Sequence, residues 1–235
     1  MSKPHEQADP ASVFATLSKM IYVGATFEDV YQHLVDTGPA VVSGCDHASL
    51  MLTGKDGYHT AAASDDVARH VDALEREVGE GPCVDAIDDE AGQIDADIAR
   101  ESTWPRLAER VLAETSVRGM AGYRIVVDGK KVGALNLFSD TPGAFAEGAD
   151  QGAILAAFAS LALSSVAKQE RADSLLAGLE SNREVGKAVG LLMAAHKIGS
   201  DAAFEVLRKA SNDMNMKLVE VAREVVGNAE RAGEN

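Results

Sequence analysis

The residues best suited to meet a ligand's charge lie near the C-terminal end. A helical wheel from Arg183, turning about 100° per residue, gathers Val185, Ala188, Val189, Leu192 and Met193 into one broad arc. Arg183, Lys187, Gly190, Ala194 and Lys197 fall on the opposite side. Cations beside two small residues suit phosphate, because Arg and Lys supply the donors and small side chains permit close approach. An ordinary solvated face has the same pattern. Further on, Arg208 and Lys209 accompany the core candidates Phe204 and Leu207. Ser211, Asn212, Asn215 and Lys217 surround the next turn. Hydroxyls and amides there can hydrogen-bond unpaired bases. They also suit turn chemistry, with Asn215 placed to cap the last helix.

Other chemistries find little support. His5, His33, His47, His59, His70 and His196 form no H-E-x-x-H or comparable ligand spacing. There is no P-loop, no G-x-G-x-x-G and no G-x-S-x-G. The carboxylates Asp85, Asp88, Asp89, Glu90, Asp95 and Asp97 read as a solvated acidic loop, and calcium-loop spacing is absent. Two cysteines, Cys45 and Cys83, are too few for a disulfide framework or a Cys-based zinc site. Cys83 reads as a buried apolar thiol, with a small redox enzyme as the alternative. The expectation is no catalysed reaction, no metal and no cofactor.

These candidates need elements to position them. Ser12 to Asp36 reads as a helix on Phe14, Leu17, Met20, Ile21, Val30 and Leu34. Cys45–Leu52 and Tyr58–Ala63 form a hairpin. Asp65–Val78 is a helix with Val67, Val71, Leu74 and Val78 in one stripe, stopped by Gly79-Glu80-Gly81-Pro82. Cys83–Asp97 is irregular, with a strand near Gln93–Ala96. A helix over Trp104–Thr115 precedes the clearest hairpin, Gly122–Val127 and Lys131–Phe138 around Asp128-Gly129. This order, without a βαβ repeat, predicts an antiparallel α+β sheet. Gly148–Met193 is helical throughout. One heptad position holds Leu155, Ala162, Gln169 and Leu176, and another holds Phe158, Ser165, Ala172 and Leu179, a half-apolar coiled-coil seam. Two short helices follow, Asp201–Ser211 with Ser200 as N-cap and Lys217–Val226.

Composition frames the reading. The 235 residues are 46% hydrophobic and 25% charged, which excludes wholesale disorder. No uninterrupted apolar run reaches the roughly 18 residues of a membrane span, and Met1–Pro10 lacks an apolar signal core, so a cytoplasmic protein is expected. A net charge of −15 taken whole argues against nucleic acid. Residues 1–165, however, hold 12 Lys+Arg and 26 Asp+Glu, a net of −14. Residues 182–223 hold 7 and 5, a net of +2. Such asymmetry suggests two modules with different partners.

Two stretches carry resemblances. N-R-E-V-G-K-A-V-G-L-L-M over Asn182–Met193, D-A-A-F-E-V-L-R-K-A-S-N over Asp201–Asn212 and N-M-K-L-V-E-V-A-R-E-V-V over Asn215–Val226 resemble an ANTAR domain. That family is a three-helix bundle extended by a coiled-coil helix, which dimerises and binds paired RNA stem-loops in leader transcripts to prevent termination. C-D-H-A-S-L-M-L, G-E-G-P-C at Gly79–Cys83, Trp104-Pro105 and G-A-L-N-L-F-S at Gly133–Ser139, with Phe145 downstream, resemble a GAF domain. Such domains often carry Arg before the Trp, where Thr103 stands here.

The resemblances imply an α+β GAF-like sensor domain over residues 11–167, after a tail over 1–10. A long coiled-coil helix then joins it to an all-α three-helix ANTAR bundle over 168–230, with a tail over 231–235. Taken with the wheel, the candidate RNA-binding residues are Arg183, Lys187, Gly190, Met193, Ala194, Arg208, Ser211 and Lys217. The implied function is RNA-binding transcription antitermination, with a homodimer built on the helices Ser12–Leu34 and Gly148–Leu179. A small-molecule ligand for the GAF-like half is left open. The alternative is a GAF small-molecule or redox sensor whose C-terminal helices serve protein interaction.

Overall fold

A computed structural model describes residues 15, 16, 19, 26–55, 57–88, 92–100, 102–146 and 148–233. The chain separates into two compact units, residues 1–169 and 170–235.

The first unit is built on one five-stranded antiparallel sheet of order β2-β1-β5-β4-β3. Its strands are β1 (His47–Gly54), β2 (Gly57–Ala63), β3 (Gly92–Asp95), β4 (Gly119–Val127) and β5 (Lys130–Ser139). Asp128 and Gly129 both take positive φ between β4 and β5, as the tight hairpin requires. Side chains alternate across the pleat. Ala48, Leu50, Leu135 and Leu137 face one core, packed against helix α1 (Phe27–Val41) and the start of helix α5 (Ala149–His196). Met120 and Phe138 face a second core with Val71, Leu74, Leu107 and Val111 from helices α2 (Asp66–Val78) and α4 (Pro105–Glu114).

Helix α1 opens with a capping box between Thr26 and Asp29. It runs on to Val41, further than the hydrophobic pattern indicated. Val30 and Leu34 are buried, whereas Phe14, Leu17, Met20 and Ile21 lie outside the described residues. The segment read as irregular after Cys83 instead forms a short helix, α3 (Pro82–Asp88). Its Pro82 backbone lies against Gly122, so closely that a Cβ there would strike it. No periodic stripe announces so short a helix; the glycine on the facing strand makes room for it.

In α5, Leu155, Ala159, Ala162, Leu163 and Val166 enter the first core. This removes two positions from the expected coiled-coil seam: Leu155 and Ala162, which should have faced a partner helix, serve their own sheet. An 18-residue window of α5 averages a hydropathy of 1.3, apolar and long enough to cross a membrane by length and composition alone. Its buried positions account for much of that apolarity.

The second unit holds the rest of α5 with α6 (Ser200–Met214) and α7 (Leu218–Gly233). Its core is Ala188, Leu207, Val221, Ala222 and Val226, flanked by Val185, Val189, Leu192 and Leu218. Gly199, not Ser200, is the N-cap of α6, without a side-chain cap bond. Asn215 closes α6 in the left-handed conformation at φ 51° rather than capping α7. The Lys217 N–H instead donates to the Glu220 carboxylate at 3.1 Å.

Candidate nucleic-acid interface

The face proposed for phosphate is exposed along α5. Arg183, Lys187, Gly190 and Ala194 are all exposed, while Ala188 is fully buried and Val185, Val189 and Leu192 pack around it. Met193 departs from its place on the apolar arc, being 36% exposed; it lies at the edge of the arc, where the bundle no longer covers it. Lys187 Nζ pairs with Glu184 Oε1 at 2.6 Å. The hydrogen bond and charge of Lys187, with Arg183 and Arg223 nearby, hold the Glu184 carboxyl below its usual range. A Cβ at Gly190 would meet nothing within 4 Å. Gly190 and Lys187 border a groove of about 460 Å³ completed by Leu191, Val226, Ala229 and Glu230.

The remaining candidates lie on α6 and its turn. Arg208 pairs with Glu205 at 2.6 Å. Ser211 donates its hydroxyl to the Met216 carbonyl at 2.6 Å, so it stitches the α6–α7 turn. Lys217 is exposed at the start of α7. Surface ion pairs such as these are weak and screened by water, so Lys187 and Arg208 remain available to a stronger anion.

The first unit explains other residues that sequence patterns left ambiguous. Asp85 accepts from Trp104 Nε1 at 2.8 Å, and Asp95 from Ser102 Oγ at 2.6 Å. These two carboxylates are structural acceptors, not members of a solvated run. Cys45 and Cys83 are free and buried in separate core clusters. Burial pushes both thiols well up from their usual range, and Cys83 Sγ lies 3.5 Å from Met51 Sδ. Enclosure of this kind favours the neutral thiol over the thiolate.

His47 ties three segments together. Its Nδ1 meets Asp65 at 2.6 Å and its Nε2 meets Asp140 at 3.3 Å. Burial opposes protonation, but the bonds and charges of Asp65 and Asp140 prevail and raise its pKa. The stabilisation is therefore complete below about pH 6.5 and is lost as pH rises through the folded value. Comparing melting temperatures of the parent and His47→Gln between pH 6 and 9 should give curves that converge as pH rises. The gap at the acid end should be about 1 kcal/mol. Parallel curves would remove His47 from the account.

Comparisons with known proteins agree with this architecture. Residues 24–164 match the family model described as GAF domain, and residues 173–226 match that described as ANTAR domain. No curated protein matches the chain. Among solved structures, the phycoerythrobilin-bound GAF domain from a cyanobacterial phytochrome superposes with a TM-score of 0.52 at 13% identity. The alignment covers 69% of this chain and 98% of that one. The reduced form of fRMsr of Staphylococcus aureus gives 0.52 at 10% identity, covering 69% and 99%. At such identities the likeness establishes the fold. With 24–164 matched over more than half its length, the chain belongs to the GAF domain family and carries an ANTAR domain behind it.

Proposed function

We propose that the protein is a cytoplasmic RNA-binding regulator of transcription antitermination whose GAF domain senses a signal or dimerises the chain. The observation that carries this reading is the division of α5 within the ANTAR match. Val185, Ala188, Val189 and Leu192 serve the bundle core, which leaves Arg183, Lys187, Gly190 and Ala194 exposed on one helix. Polar contact with phosphate there costs the core nothing, and Arg208, Ser211 and Lys217 supply further donors near the α6–α7 turn. The RNA would be a pair of small stem-loops, one per protomer. Pulldown of cellular RNA followed by sequencing should enrich leader transcripts containing paired hairpins. Recovery of bulk RNA without such hairpins would overturn the reading. No catalysed reaction is assigned.

The homodimer in this reading uses a second copy of α5. The stretch Lys168–Glu180 is exposed throughout, with Leu175 at 70% and Leu179 at 66%. Leucines four apart fall on one helix face, and two such faces from two copies bury each other. The Leu175→Glu, Leu179→Glu double variant should shift sedimentation at micromolar concentration from dimer to monomer, while far-UV circular dichroism stays unchanged. A monomeric parent, or a variant as dimeric as the parent, would count against this seam.

A further inference from the structure

A buried polar cluster in the first unit carries two acceptor atoms without donors. Asp72 on α2 accepts from Ser49 Oγ at 2.7 Å, Thr60 Oγ1 at 2.7 Å and Asn136 Nδ2 at 3.1 Å. Glu75, nearly one turn later, is fully enclosed. Its Oε1 accepts from the Cys83 and Val84 N–H groups at 2.8 and 3.3 Å. Its Oε2 has no partner among the described residues, and neither has Asn136 Oδ1. Gly81 lies directly on the Glu75 carboxyl, where any Cβ would strike it, so the side chain is held in place. A cleft of about 310 Å³, lined by Gly57, Tyr58, Arg76, Gly79 and Val84, reaches Glu75.

A buried acceptor left without a donor costs about 1–3 kcal/mol, and Glu75, which carries one of the two, lines the cleft, so a donor from outside has a route to it. The local charge selects its sign. Asp72, Glu75 and Asp85 act on this spot, opposed by Arg76. Once Glu75 is ionised, an anion would be repelled. A metal ion would need more ligands, and among the described residues no three His, Cys, Asp or Glu side chains are grouped to hold one. The volume suits a small molecule. We infer that the cleft binds a small organic cation bearing N–H donors, an alkylammonium or amidinium, with Glu75 Oε2 as its principal acceptor. This extends the sensor half of the reading above and is independent of RNA contact.

The proton competes with such a cation for Glu75. Burial, then the charge of Asp72, outweigh the Cys83 and Val84 donors and push the carboxyl up to about 8; Asp85 adds to the push. The groups facing it are Asp72 and Arg76 on α2, Cys83 and Asp85 on α3, and Tyr58 on β2. Titration calorimetry and thermal-shift measurements on the full chain would use ethylammonium and acetamidinium. Tetramethylammonium, a cation without N–H donors, is the control. Saturable binding of the first two is expected, tightening about tenfold per pH unit between pH 6 and 7.5 and levelling above 8. Glu75→Gln should lose at least tenfold. Equal binding of tetramethylammonium, no saturable binding, an affinity flat with pH, or a Glu75→Gln protein that binds like the parent would each overturn the inference. If bound water alone satisfies the two acceptors, no probe will saturate. Should Glu75→Gln fail to fold, the contrast between ethylammonium and tetramethylammonium on the parent decides. A gel shift with paired hairpins on the same sample reports the RNA reading separately.

Discussion

Gly133→Val should unfold the sheet unit while leaving the C-terminal bundle helical. Gly133 stands in β5 opposite Leu52 of β1 and Ile125 of β4, with a strand on either side. A Cβ there would run into the Met51 carbonyl oxygen and the Leu52 Cα. Both are backbone atoms, so no rotamer change relieves the clash. Forcing extra carbons into a packed interior costs about 1–3 kcal/mol. Parting β1 from β5 adds ladder hydrogen bonds at about 1 kcal/mol each. A loss of about 3–5 kcal/mol approaches the whole stability of an ordinary domain. In urea, the variant should lose its first-unit transition, followed by Trp104 fluorescence, at far lower concentration than the parent. Far-UV circular dichroism should retain a helical fraction from residues 170–233. A midpoint equivalent to a change under about 0.5 kcal/mol would mean that the strands yield locally. Gly129→Ala is the informative contrast. Its Cβ would meet nothing within 4 Å but its φ is +75°, so it should cost only the left-handed strain of about 1 kcal/mol.

Sequence patterns reveal elements where one physical rule dominates. Asp128-Gly129 identified the β4–β5 hairpin because positive φ at two successive positions narrows the residue choice. The apolar arc at Val185, Ala188, Val189 and Leu192 identified the bundle core because a solvated helix needs only one such face. The rules fail where two interiors compete for one helix or where the interior is polar. Leu155 and Ala162 fit a heptad, yet the sheet claims them; period alone does not say which neighbour a face meets. Ala68, Asp72 and Glu75 recur at helical spacing and are all buried. A reading that assigns carboxylates to solvent cannot find them. The available signals were indirect: Ser49 and Asn136 on strand positions facing Asp72, and a glycine at 81 pressed against Glu75. Ser200 and Asn215 show the same limit at helix ends. Both have capping chemistry, but Gly199 and Glu220 take those roles.

Gly190→Leu should abolish most RNA affinity while raising the melting temperature, and that opposition of signs separates an RNA surface from a solvated helix face. Nothing lies within 4 Å of a Cβ at Gly190, so leucine enters without strain. Glycine in a helix interior is less favourable than alanine by about 1 kcal/mol and leucine nearly matches alanine, so the bundle gains. The same side chain would stand over the groove shared by Lys187, Leu191 and Val226, and a phosphate backbone approaching Lys187 would meet it. A loss of more than tenfold is expected in gel shifts with paired stem-loops. Lys187→Ala removes one cation and should cost about 1.5 kcal/mol, roughly tenfold. It should also lower the slope of log K against log salt by about 0.7. Glu184 holds Lys187 at 2.6 Å in the free protein and presents a negative charge to any phosphate there. Glu184→Gln should therefore tighten binding severalfold, an outcome that loss of structure cannot imitate. If all three variants bind as the parent does, this face of α5 makes no RNA contact. Unchanged affinity for both Gly190→Leu and Glu184→Gln, with Lys187→Ala alone weakened, would confine the contact to the Lys187 side chain. The backbone around Gly190 would then carry no part of the interface.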